Sequence, residues 1–133
     1  MKSNGVSGGL KIIIQVSYGE LLDKITILEI KAQKCSNSEQ LMNINYELQL
    51  LQKVHLDNYI GETVQLMEQL RIINLRLWYL EDQIRLLGDK KDFGQEFICV
   101  ARDIYTNNDQ RARIKRAINQ IANSKIIEEK YYS

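Results

Sequence analysis

Several side chains fit for chemistry stand where a helical pattern expects only apolar ones. On a helical wheel of 100° per residue, Glu29 falls between Leu22 and Ile25, inside an apolar stripe. Arg111 falls beside Ile114 and Ile118, whereas Arg113 and Arg116 point to the opposite, wet side. Asn74, Trp78, Glu81 and Arg85 form a ribbon along one flank of an apolar seam, with Glu81 and Arg85 spaced i, i+4. Taking a charge out of water costs several kcal/mol unless it is paired and hydrogen-bonded, as a rough figure. Two readings follow. In the first, Glu29, Arg111 and the ribbon satisfy one another and fix the register of packed helices. In the second they line a polar pocket for an anionic or sugar-like small molecule, with Trp78 as its flat wall. Lys115 adds to the second, since Arg111, Arg113, Lys115 and Arg116 follow Asn107, Asn108 and Asp109 at an expected helix start, an arrangement that attracts anions. A solvated Asp109–Arg113 pair explains part of the same run more simply.

Other chemistry is missing. No glycine-rich phosphate loop, GxSxG elbow or HExxH pair occurs. The single histidine, His55, lies on an apolar seam and reads as a helix-end packing residue. Cys35 and Cys99 are far apart, offer no zinc spacing, and read as reduced thiols, with Cys35 the more accessible. No metal or cofactor is implied. A formal charge of +1 removes the basic excess expected of a nucleic-acid binder. With no apolar leader and no span of membrane length, a cytoplasmic location without membrane contact is expected.

The elements that must hold these residues are helical. Leu66, Leu70, Ile73, Leu77, Leu80, Ile84 and Leu87 step alternately by four and three, the repeat of a seam that faces a partner helix. Ile72, Leu75, Tyr79 and Leu86 fall on nearly the opposite side, so this helix needs cover on two faces, within a bundle or between subunits. Leu21, Ile25, Leu28 and Ala32, then Leu41, Ile44, Leu48, Leu51 and His55, repeat the seam. Capping-box spacing at Ser17/Glu20, Ser36/Glu39 and Asp92/Gln95, and caps at Asp57 or Asn58 and at Asn107 or Asn108, place helices near 18–34, 38–56, 59–87, 93–106 and 109–123. Gly88 is the expected stop of the third. Residues 1–10 read as a flexible segment before a single helical domain over 11–133. The β-branched run Ile12–Val16 reads as a strand needing a partner subunit, or as an extended arm over the helices.

The stretches VSYGELLDKITILEIK (16–31), LWYLEDQIR (77–85), FICVARDIYTNNDQRARIKRAIN (97–119) and SKIIEEKYY (124–132) resemble a family of short uncharacterised proteins of bacteria and their phages, a domain of unknown function. The resemblance implies an independent domain, gives Glu29, Trp78, Glu81, Arg85 and Arg111 a place in a shared pattern, and implies a setting near sugar-transfer or surface-polysaccharide genes. It carries no activity. The sequence thus predicts an all-α bundle around one long central helix with a short N-terminal extended arm. The expected function is a non-catalytic interaction or assembly module, a homodimer or higher oligomer. The alternative is a ligand-binding protein or small enzyme acting on a phosphorylated or nucleotide-sugar compound through Glu29, Trp78, Glu81, Arg85, Arg111 and Lys115.

Overall fold

The structure is a computed structural model and describes residues 9–124. The flexibility expected of residues 1–8 falls outside the described residues, as do residues 125–133. Four α-helices follow one another: α1 (Tyr18–Lys34), α2 (Ser38–Asp57), α3 (Val64–Asp89) and α4 (Gln95–Ala122), with a 3-10 turn at Gly61–Thr63 leading into α3. No strand occurs among the described residues, so the class is all-α.

Local chemistry sets most of the ends. Ser17 caps α1, its Oγ accepting from the Glu20 amide at 3.1 Å, as the capping-box spacing predicts. α2 is capped one residue later than expected, by Asn37, whose Oδ1 accepts from Gln40 N at 2.9 Å. Asn58 closes α2 instead of opening α3, donating Nδ2 to the Val54 carbonyl. Gly88 does not end α3. The helix runs on to Asp89, and Lys91 takes the left-handed position (φ 56°) expected of glycine.

The largest correction concerns the C-terminal half. The helices expected at 93–106 and 109–123 are one continuous 28-residue helix, α4. Asn107 and Asn108 do not cap. Asn107 donates back to the Asp103 carbonyl at 2.8 Å and accepts from Arg76 of α3, while Asn108 faces Arg111. With their amides engaged along the helix or across to α3, neither breaks the backbone ladder. The expected strand is also absent: residues 10–16 form no regular element and are exposed, with Ile13 reaching 93%.

α1 is the most enclosed element, touching α2, α3 and α4, and α3 and α4 pack along each other. Leu22, Ile25, Leu70, Ile73, Leu77, Ile114 and Ile118 fill the space between α1, α3 and α4. The α3 seam points inward as predicted, Leu70, Ile73, Leu77 and Leu87 being buried. Among the described residues α2 touches only α1, and none of its 20 residues is buried.

α1 and α4 meet closely because Gly19 has no side chain. Its amide donates to Asn119 Oδ1 at 2.7 Å, and a Cβ there would stand 2.6 Å from the Lys115 carbonyl oxygen. One turn on, the Tyr18 amide donates to Ser124 Oγ. Backbone at that distance cannot step aside, so Gly19→Ala forces the helices apart. Overpacking of this kind costs roughly 1–3 kcal/mol, and the expected outcome is a melting temperature lower by at least about 5 °C, measured by circular dichroism.

Candidate functional site

The charged residues converge on one that the sequence did not single out. Asp23, on α1, is 1% exposed, and its carboxylate is the centre of a network joining α1, α3 and α4. Arg111 of α4 grips it with two N–H groups, Nε to Oδ1 at 2.9 Å and Nη2 to Oδ2 at 2.5 Å. Asn74 of α3 donates Nδ2 to Asp23 Oδ1 at 2.9 Å and to Thr26 Oγ1 at 2.8 Å, and the Thr26 hydroxyl donates to the Asp23 carbonyl. Lys115 pairs with Glu20 at 2.7 Å and stands 3.9 Å from Asp23 Oδ2. Two carboxylates and two cations thus balance within one cluster. A two-pronged guanidinium–carboxylate contact is among the strongest polar contacts available in a protein. The hydrogen bond to Asp23 raises the Arg111 pKa above its usual value, outweighing the opposing effect of burial.

The wheel placed Arg111 correctly, facing the interior with 29% of its side chain exposed, while Arg113 and Arg116 are exposed. It misplaced the partner. Glu29 does not meet Arg111. It pairs with Arg71 of α3 at 2.9 and 3.3 Å, and Arg71 also reaches Glu68. The hydrogen bond from Glu29 raises the Arg71 pKa against partial burial. Glu29 therefore serves a separate ion pair, while Lys115 belongs to the Asp23 cluster through Glu20 and Asp23.

The other four expected site residues do come together. Trp78, Glu81 and Arg85 of α3 and Arg111 of α4 line a cleft of about 410 Å³ between α1, α3 and α4, joined by Asp82 and Asn108. Here pairing is poor. Arg85 lies 3.9 Å from Glu81 with most of its side chain in water, and no ion-pair partner of Asp82 exists among the described residues. The cleft thus has one rigidly held cation at one end and loosely held charges at the other.

His55 packs at the end of α2 as expected, edge-on to Tyr18 with ring centroids 6.0 Å apart and beside Tyr59 at 5.8 Å. Partial burial, and secondarily the Arg71 charge, lower its pKa; Glu29 opposes them. The cysteine expectation is reversed: Cys99 is exposed and Cys35 half-buried, because the inward side of α4 at that level runs through Val100. Among the described residues, no cluster of histidine, cysteine and carboxylates can hold a metal ion.

Two apolar faces remain uncovered within one chain. Met42, Tyr46, Leu50 and Val54 form a single i, i+4 row on α2, exposed by 45–72%. The second α3 stripe, Ile72, Leu75, Tyr79 and Leu86, is exposed as well, and Lys34 covers Tyr79 only in part, its Nζ 4.6 Å from the ring centre. Among the described residues, no helix is long and apolar enough to cross a membrane.

Fold and site together define an all-α domain closed around a buried carboxylate, with a charged cleft on one side and unpartnered apolar helix faces elsewhere. The chain belongs to the family described as Family of unknown function (DUF6165), whose model matches residues 12–133. No curated protein and no solved structure matches it.

The two kinds of charge differ in what their loss does. Removing one partner of a buried pair strands the other, at about 3–5 kcal/mol, whereas an exposed pair contributes roughly 0–1 kcal/mol. Asp23→Ala and Arg111→Ala are expected to lower the melting temperature by about 10 °C or more, and Arg85→Ala or Arg113→Ala by no more than about 2 °C. Equal losses at Arg111 and Arg113, read by thermal denaturation, would contradict the geometry of α4.

Proposed function

We propose that the protein is a non-catalytic interaction module that assembles with further copies of itself, working in the cytoplasm of the bacterial or phage setting that the sequence resemblance implies. The supporting observation is α2. A helix gains most of its stability in a protein by burying an apolar stripe, and in α2 the stripe Leu41, Ile44, Leu48, Leu51 and His55 is only half-buried while Met42, Tyr46, Leu50 and Val54 are left in water. One row of residues four apart is the surface with which two helices interdigitate at a steep crossing angle. The same row on two copies, related by a two-fold axis, is self-complementary. A net charge of +1 offers little repulsion between copies. The exposed α3 stripe and the apolar arm at residues 10–16 are further surfaces that a second copy can cover.

Light scattering coupled to size exclusion is expected to give at least twice 15.5 kDa at micromolar concentration. Leu50→Glu on α2 is expected to shift the mass to one chain while retaining the helical circular dichroism, because Leu50 is exposed within a single chain. Leu75→Glu tests the α3 stripe in the same way. A wild-type protein that stays at the mass of one chain across the concentration range would end this reading.

A further inference from the structure

The cleft between α1, α3 and α4 has a charge pattern that the fold does not need. The Asp23 network holds the three helices together without Glu81, Asp82 or Arg85, and none of these three is well paired. Its volume of about 410 Å³ lies within the range of small-molecule sites.

The two ends differ in what they offer. At the near end, Arg111 has five N–H groups, of which Asp23 takes two and Asn108 one at 3.5 Å. Two donors are left on a guanidinium that Asp23 fixes in place, so this end takes a hydrogen-bond acceptor. Because Asp23 already balances the Arg111 charge, it does not call for a doubly charged one. At the far end stand Glu81 and Asp82 against the single cation Arg85, a local excess of one negative charge. That end calls for a cation. Between them lie the Trp78 indole, whose face attracts ammonium groups, and the apolar side chains of Ile30 and Leu77. Asn74 contacts Asp23 beside Arg111, and Glu81 follows Asn74 by seven residues on α3, which is about 10 Å of helical rise. The complementary charges of a ligand must be separated by a comparable length. An α-amino acid head group is too short for this, and a chain of lysine length is not.

We propose that this cleft binds an elongated zwitterion, with a carboxylate or similar singly charged oxyanion on Arg111, an ammonium group against Glu81 and Asp82, and an apolar body along Trp78. The site is independent of self-assembly, since none of its charged residues belongs to α2 or to the exposed α3 stripe.

Trp78 is the one tryptophan in the chain, so its fluorescence reports on the cleft directly. Titration of the full chain with ε-aminocaproate, followed by fluorescence and by calorimetry, is expected to saturate. Caproate and hexylamine each lack one end and are expected to bind at least about tenfold more weakly. Asp82→Asn and Glu81→Gln, both at the rim, are expected to weaken ε-aminocaproate and hexylamine but not caproate, with the melting temperature unchanged. Absence of saturation by ε-aminocaproate overturns the proposal. So does equal binding of caproate, or tighter binding of a hexose phosphate, which would assign the cleft to phosphorylated compounds instead.

Discussion

Everything in this fold turns on one carboxylate in the wrong solvent. Asp23 sits where water does not reach, in contact with three helices, and an isolated charge there would be prohibitive. The protein satisfies it from both neighbours at once. Arg111 arrives from α4 with a planar fork and Asn74 from α3 with an amide, which the Thr26 hydroxyl holds in place by accepting its second N–H. Each contact has a narrow geometric tolerance. A shift of α4 by one residue would turn Arg111 away by about 100° and bring no cation to replace it. The close approach of α1 to α4 at Gly19, and the Lys115–Glu20 pair beside it, follow from the same register.

This arrangement joins stability and recognition through a shared residue. Arg111 is held so firmly on one side that its remaining donors are immobile on the other, and an immobile donor loses little entropy when it meets a ligand. The charges across the cleft are kept loose. In the ligand site proposed for the cleft, the structural network would supply the rigid half and the solvated end of α3 the adaptable half.

Much of the design was legible from residue spacing. The inward seam of α3, the cap at Ser17 and the helical phase of Arg111 all follow from local rules, because each concerns one helix and its nearest neighbours. Asp23 did not follow. On the wheel it lies about 160° from Ile25, the middle of the apolar stripe, and so reads as solvated. That inference assumes a helix with one buried side. α1 is enclosed by three helices, and the buried arc sweeps round through Thr26 and Ile30 to include Asp23. Glu29, which the wheel placed inside, is as enclosed as Arg111, with 27% of its side chain exposed, but its partner is Arg71. The continuity of α4 was hidden for a related reason. Asn107 and Asn108 favour helix starts when their side chains are free to cap, and only the tertiary structure shows that Arg76 of α3 engages Asn107.

The one-sided attachment of α2 gives the molecule two levels of cohesion. Detaching α2 would forfeit its contacts with α1 and leave the α1–α3–α4 core closed around its charge network. Such a helix opens as a separate unit, at a fraction of the global unfolding free energy. Its connections, at Cys35–Asn37 on one side and Asn58–Ile60 on the other, are short and extended or irregular, the form that hinges take. α2 is therefore the element whose departure would disturb the buried charge network least.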